Sequence, residues 1–146
     1  FYHPDAPIYT RPRFVPASSL VDVRFDHCRL ADGVRIFGAE VVRSVIGLRA
    51  RIEKGCRIIE SIIMGADDIE EEDGRVAALA TGIPPIGIGA DCVIEKAIVD
   101  KNARIGPGCV LRGDPSRPDQ DGDGWYLREG IVIVPKNAIL HPGTIV

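Results

Sequence analysis

The sequence contains three histidines and four cysteines, residue types that bind metals or act as bases and nucleophiles, and they are His3, His27, Cys28, Cys56, Cys92, Cys109 and His141. A structural zinc site takes its ligands in close pairs such as Cys-x2-Cys, and the sequence contains no such pair. The histidines are spread from the start of the chain to its end, and His141 stands in an ordinary turn before Pro-Gly. We therefore predict neither a metal site nor a catalytic residue in this chain.

One acidic segment matches the sequence pattern of the first half of a calcium-binding loop, of the kind that lies between two helices. It reads Asp119-Gln-Asp121-Gly-Asp123-Gly124, with glycine at the sixth place. Such a loop also needs a bidentate glutamate at its twelfth place, which here is Gly130. We interpret the segment as a solvated acidic turn and leave ion binding as the alternative.

Aliphatic residues recur every six positions along much of the chain. Units such as Ile52-Glu-Lys-Gly-Cys56-Arg and Ile105-Gly-Pro-Gly-Cys109-Val begin with an aliphatic residue, turn through glycine and place a small residue fifth. An α-helix would not bring residues six apart onto one face, because six residues rotate by about 600°. The period predicts inward positions at Leu30, Ile36, Val42, Leu48, Ile52, Ile58, Met64, Ile88, Ile94, Val99, Ile105, Leu111, Val134, Leu140 and Val146.

Fixed-period self-similarity with turn residues in each unit is typical of a parallel β-solenoid. Three units would make one coil of about 18 residues, which predicts an all-β fold of about five coils. The cysteines fall in the small positions, so we expect four buried, reduced thiols in one inward column and no disulfides.

The repeats divide the chain into two parts. Residues 1–19 are interrupted by prolines and predict an extended lead-in, and residues 20–146 predict the solenoid. The repeat pauses near residues 65–85, which include the acidic run 67–73, and near residues 112–129. We expect both pauses to loop out at corners of the coil and the acidic run to be solvated surface, with contact to a neighbouring subunit as the alternative. Because the chain lacks an initiator methionine, we expect it to begin inside a longer protein.

Charge and hydropathy exclude some partners. Lysine and arginine total 18 against 21 acidic residues, a net charge of −3, so whole-chain charge favours neither nucleic acid nor an anionic membrane. No apolar run approaches the roughly 18 residues of a membrane-spanning helix.

Several segments together resemble the C-terminal domain of the glucose-1-phosphate adenylyltransferase (ADP-glucose pyrophosphorylase) family. The resemblance covers essentially the whole chain, and its segments are Asp5-Ala-Pro-Ile-Tyr-Thr-Arg-Pro-Arg13, Gly47-Leu-Arg49, Met64-Gly-Ala-Asp67, Pro85-Ile-Gly-Ile-Gly89, Ile98-Val-Asp-Lys-Asn-Ala-Arg-Ile-Gly106 and Gly130-Ile-Val-Ile-Val-Pro-Lys136. It implies a left-handed parallel β-helix, handedness being a property of the family and not of the spacing.

The resemblance also implies a function. The family's enzymes make ADP-glucose from ATP and glucose 1-phosphate for glycogen or starch synthesis, as homotetramers or heterotetramers. Their catalytic domain, which uses Mg²⁺, precedes the β-helix, so residues 1–19 are expected to be the linker from that domain. This chain alone is expected to be inactive and to bind no cofactor. The implied location is the cytoplasm of a bacterium, or the plastid of a plant or alga.

The family binds a phosphorylated small-molecule effector between its two domains, a sugar bisphosphate or phosphoglycerate according to lineage. The positions of this chain that match its effector motifs are Arg13, Lys101 and Lys136, with Arg11, Arg49 and Arg104 as weaker candidates. Arginine grips phosphate with a planar fork and lysine offers a point charge. Arg11 replaces the glutamine of plant-type relatives, so the effector's identity stays open. The alternatives are that these are ordinary surface charges, and that the protein is a stand-alone hexapeptide acyltransferase or a purely structural solenoid.

Overall fold

The computed structural model describes residues 14–146, nearly all of whose regular elements are short strands. The elements are β1 (Ser19–Val21), β2 (Arg24–Asp26), β3 (Arg29–Leu30), β4 (Arg35–Phe37), β5 (Glu40–Val42), β6 (Val45–Ile46), β7 (Arg51–Ile52), β8 (Arg57–Ile59), β9 (Ile62–Ile63), α1 (Glu72–Ala80), β10 (Gly87–Ile88), β11 (Val93–Glu95), β12 (Ala97–Val99), β13 (Arg104–Ile105), β14 (Val110–Arg112), β15 (Gln120–Gly122), β16 (Trp125–Arg128), β17 (Ile131–Val134) and β18 (Ile139–Leu140).

The strands form three sheets, which we call A, B and C. Sheet A has the order β1-β4-β7-β10-β13-β18, sheet B the order β14-β11-β8-β5-β2, and sheet C the order β15-β16-β17-β12-β9-β6-β3. Successive strands of a coil enter sheets A, B and C in turn, and each pairs in parallel with the strand one coil away. The fold is therefore a three-sided parallel β-helix, which confirms the all-β solenoid predicted from the repeats.

The core is a set of aliphatic ladders inside the coil. In sheet A the side chains of Ile36, Ile52, Ile88, Ile105 and Leu140 lie one above the next, each at most 2% exposed. Sheets B and C add further aliphatic ladders to the same buried cluster. Burial of each such side chain contributes about 1.5–3 kcal/mol, so stacked aliphatic residues supply the main stabilisation.

The strict six-residue period is wrong at several inward positions. Val42 and Leu48 are half-buried and Met64 is exposed; their places in the core are taken by Val41, Ile46 and Ile63. Leu30 lies on the first coil and is 38% exposed.

The cause is a set of corners that join inward residues over five positions, between sheets A and B from Ile36 to Val41 and between sheets B and C from Val41 to Ile46 and from Ile58 to Ile63. At the corners between sheets B and C, turn residues with positive φ, such as Glu60 at +48° and Lys96 at +49°, bend the chain into the next sheet in fewer residues. Paired residues of neighbouring coils are consequently 16 or 17 apart, as in Ile36 with Ile52 and Val41 with Ile58, instead of the predicted 18.

The single cysteine column is also wrong. Cys56, Cys92 and Cys109 are buried and stack at the corner between sheets A and B, as the pairing of the residues that follow them shows. Cys28 lies at the corner between sheets B and C, one coil from Ser44, and is partly exposed. All four are free thiols.

Two segments leave the coil. The first insertion, residues 64–86, carries α1 and departs at the corner between sheets C and A, which we call the C–A corner. The second insertion, residues 113–130, forms the antiparallel hairpin of β15 and β16 on the edge of sheet C. Within residues 14–146, no helix is long and apolar enough to cross a bilayer.

Candidate functional site

The C–A corner carries two lysines at equivalent turn positions of neighbouring coils. Lys101 follows β12 and Lys136 follows β17, and the pairing of Val99 with Val134 sets one above the other. The next residues, Asn102 and Asn137, have φ of +60° and +61°. Asparagine tolerates this left-handed conformation better than most residues, so the sequence Lys-Asn fixes a tight turn that presents the lysine outward.

Both lysines bind one carboxylate. Lys101 Nζ lies 3.0 Å from Oδ1 of Asp67, and Lys136 Nζ lies 2.7 Å from Oδ2 of the same side chain. Asp67 stands at the start of the first insertion, directly after the corner. The pair of lysines therefore forms a site in which two ammonium groups converge on one anion.

Two further residues position Asp67. The Asn102 side chain donates from Nδ2 to Oδ2 of Asp67 at 3.1 Å and accepts from the Asp67 backbone N–H at 2.8 Å. Arg49, on the same corner, donates from Nη1 to the Asp67 carbonyl at 2.9 Å. The corner thus supplies four side chains that donate to Asp67, namely those of Arg49, Lys101, Asn102 and Lys136.

The electrostatics of the site follow from these contacts. Hydrogen bonds from Lys136, Lys101 and Asn102 hold the pKa of Asp67 well below its usual range. The contact with Asp67 raises the pKa of Lys136 above its ordinary value. Asp67 is therefore ionised throughout the physiological range, and the site binds it as an anion.

The rest of the first insertion is fixed by other charges on sheet A. Arg104, on β13, donates from Nη2 to Oε1 of Glu70 at 2.8 Å. Arg75, on α1, is 8% exposed and donates to Oε1 of Glu53 at 2.8 Å. These contacts place Arg104 beside the lysine site but on a different carboxylate.

The structure brings together most of the predicted effector residues. Lys101, Lys136 and Arg49 meet around Asp67, and Arg104 binds the same insertion three residues later. Arg11 and Arg13 lie outside the described residues.

Sequence reasoning missed the carboxylate that the lysines bind. The acidic run 67–73 was predicted to be solvated surface, and this is wrong for Asp67 and Glu70, which bind basic residues of the coil. A signal was present, because Met64-Gly-Ala-Asp67 is one of the segments that carry the family resemblance.

The acidic turn of the second insertion uses its carboxylates internally. Asp119 Oδ1 accepts the Glu129 backbone N–H at 3.0 Å, and Asp121 accepts from Arg128. Within the described residues 14–146, no group of three His, Cys, Asp or Glu side chains could hold a metal ion.

A family model described as the GLGC left-handed parallel β-helix domain matches residues 13–145. The chain belongs to this family. The match supplies the hand of the coil, which is left-handed, and the domain belongs to a family of nucleotidyltransferases. In this GLGC domain the lysine site lies on the C–A corner of coils four and five, next to the start of the first insertion.

Proposed function

We propose that this GLGC domain is the C-terminal regulatory and assembly domain of a glucose-1-phosphate adenylyltransferase. That enzyme makes ADP-glucose and pyrophosphate from ATP and glucose 1-phosphate, for glycogen or starch synthesis. Catalysis and Mg²⁺ belong to an N-terminal domain of the same protein, and the β-helix domain binds a phosphorylated effector.

The observation that carries the effector proposal is the convergence of Lys101 and Lys136 on one carboxylate. Two ammonium groups within 3.0 Å of one anion form a site that also suits a phosphate group, which carries more negative charge than a carboxylate. The lysine side chains are 33% and 49% exposed, so a small molecule in solution can reach both. A sugar bisphosphate or a phosphoglycerate has the required chemistry.

The test is binding of 3-phosphoglycerate and of a hexose bisphosphate to the full-length protein, measured by calorimetry. The double variant Lys101→Ala/Lys136→Ala should weaken binding about tenfold or more, because two charge-assisted contacts are lost. Lys54→Ala is the matched control, since Lys54 is an exposed lysine at the corner between sheets A and B. Equal affinities of the double variant and wild type would refute effector binding at this corner.

The outer face of sheet C supports the assembly role. Its outward residues form an apolar column across neighbouring strands, consisting of Val45, Ile62, Ile98, Ile133 and Tyr126. Val45, Ile62 and Tyr126 are 40–44% exposed. A continuous apolar stripe on a protein surface marks an interaction site, and we assign this one to a second copy of the protein.

Size measurements on the full-length protein test the assembly role. Ile62→Glu should shift the assembly toward smaller species in light scattering, because a carboxylate would be buried in the interface. Ile145→Glu is the control, since Ile145 is 76% exposed and lies outside sheet C. An unchanged mass of the Ile62→Glu variant would show that sheet C is not the interface.

A further inference from the structure

We propose that Asp67 is a built-in competitor of the anionic effector, so that the effector binds by displacing the Asp67 carboxylate from Lys101 and Lys136. The inference rests on the proposed function, since it concerns the regulation of the same site. It assigns a role to Asp67, an acidic residue that a search for basic residues would not find. It also gives the site two states, one with the Asp67 carboxylate bound and one with the effector bound.

The geometry of the carboxylate supports competition. Oδ1 of Asp67 accepts a hydrogen bond from Lys101 Nζ at 3.0 Å. Oδ2 accepts from Lys136 Nζ at 2.7 Å and from Asn102 Nδ2 at 3.1 Å. Both oxygens are thus occupied by the donors that a phosphate would need. A phosphate that is to lie between the two ammonium groups must displace the carboxylate, which occupies that position.

The contact is also exposed enough to exchange. The Asp67 side chain is 37% exposed and that of Lys136 is 49% exposed. Ion pairs at such exposure are weak and are screened by salt, so a more highly charged anion can replace the carboxylate. A buried ion pair would not exchange with an anion from solution and would suit a structural role instead.

The insertion that carries Asp67 is held on the coil more by charge than by apolar packing. Val76 and Leu79 of α1 are 60% and 61% exposed. Between the insertion and the coil lies a cleft of about 230 Å³ that is lined partly by Leu79, Ile83 and Ile88. Residues 67–69 can therefore move while Ala66, which is 3% exposed, stays packed on the coil.

Displacement of Asp67 has a defined local consequence. The Asp67 backbone loses its contacts with Asn102 and Arg49, while Glu70 and Arg75 keep the later part of the insertion attached. Movement is confined to residues 67–69, between Ala66, which is buried on the coil, and Glu70, which stays bound to Arg104. Effector binding is converted in this way into a change of backbone position at the surface of the domain.

The experiment compares anion affinity in the full-length protein carrying Asp67→Asn or Asp67→Glu, with inorganic phosphate and 3-phosphoglycerate as probes. Asp68→Asn is the matched control, because it removes the same charge at the next, exposed residue. Asp67→Asn should bind the probes about three- to tenfold more tightly than wild type. This is the gain expected when a competing state populated at about 70–90% is removed. Asp67→Glu keeps the competing charge and should stay closer to wild type, and denaturant unfolding verifies that each variant is folded.

A second arm combines Asp67→Asn with Lys136→Ala. In wild type, loss of Lys136 weakens the binding of the effector and also the binding of the competing Asp67 carboxylate, so part of the change in effector affinity cancels. The fold-loss in affinity on Lys136→Ala should therefore be larger in the Asp67→Asn background than in wild type. Amide exchange of residues 67–69 should also become faster in wild type when 3-phosphoglycerate is added.

The outcomes separate the two proposals. Weaker binding on Lys136→Ala together with unchanged or weaker binding on Asp67→Asn overturns competition and leaves effector binding at the lysines intact. Affinities that respond to none of the lysine or Asp67 variants overturn both. A gain of equal size in Asp68→Asn shows a general charge effect and also overturns competition.

Discussion

The guanidinium of Arg104 donates to Oε1 of Glu70 at 2.8 Å, while Oε2 of the same carboxylate accepts the backbone N–H of Ile86 at 2.7 Å. Glu70 lies near the start of the first insertion and Ile86 at its end. One side chain therefore closes the insertion on itself and fixes it to β13. With 12% of its surface exposed, the Glu70 side chain is far better shielded than Asp67.

Glu70→Ala should lower the free energy of unfolding by about 2 kcal/mol, because it leaves Nη2 of Arg104 and the Ile86 amide without their acceptor, while Nη1 of Arg104 keeps the Pro84 carbonyl. Urea unfolding measures the change. Glu71→Ala removes an exposed carboxylate at the next residue and should change the free energy by less than about 0.5 kcal/mol. Equal effects of the two substitutions would contradict this assignment.

Gly65→Ala tests the departure point of the first insertion. Gly65 has φ of +87°, and an added Cβ would lie 2.0 Å from the carbonyl oxygen of Leu48. Gly82→Ala is the control, because Gly82 has a similar φ of +77° with no atom within 4 Å of the added Cβ. The control should cost about 1–2 kcal/mol from backbone strain alone, and Gly65→Ala should cost clearly more because it adds a steric clash. The same loss in both variants would show that the corner relaxes freely.

The thiols should divide into one accessible residue and three protected ones. Cys28 is partly exposed, whereas Cys56, Cys92 and Cys109 are buried. The contact with Cys92 and burial hold the pKa of Cys109 well above its ordinary value, so that this group stays a thiol up to alkaline pH. A thiol reagent should modify Cys28 first in native protein and the others only on unfolding. Modification of Cys28→Ser protein at the native wild-type rate would show that a core thiol is accessible.

The stability that Asp67 contributes should depend on pH in a defined direction. Lys136 and Lys101 hold the pKa of Asp67 below its ordinary value of about 3.9, so the contribution is fully present above about pH 4. It is lost as the pH falls from there through the lower pKa of the folded state. The difference in unfolding free energy between wild type and Asp67→Asn should therefore shrink below about pH 4. A difference that stays constant into strong acid would show that the ion pairs do not contribute.

The fold could be predicted from the sequence because the residue types of each repeat unit determine where its strand and its turn lie. Aliphatic residues such as Ile52, Ile88 and Ile105 fall where the coil needs them, and the glycine-containing turns mark its corners. The five-residue corner could not be predicted, since it depends on ordinary residues such as Glu60 adopting a positive φ that only the neighbouring coils enforce. The position of Cys28 follows from the same miscount.

Only the basic residues of the site could be predicted from the sequence. Lys101 and Lys136 stand in repeat turns, where the period aligns them, so their proximity follows from the coil. Asp67 belongs to an insertion with no period, and a run of acidic residues gives no sign of which member turns back to the coil. The helix α1 was missed for the same reason, although Ala77, Ala78 and Ala80 are residues that favour helices.

The insertions divide the coil into parts that close very different lengths of chain. Ile36 meets Ile52 across 16 residues, whereas Ile52 meets Ile88 across 36. A doubling of loop length adds about 0.6 kcal/mol of closure entropy, and non-local pairing slows folding. The first three coils, residues 19–63, are therefore expected to fold first as a locally wound nucleus. The fourth coil then has to find this template from a distance, and the contact of Glu70 with the Ile86 amide shortens the loop that has to close.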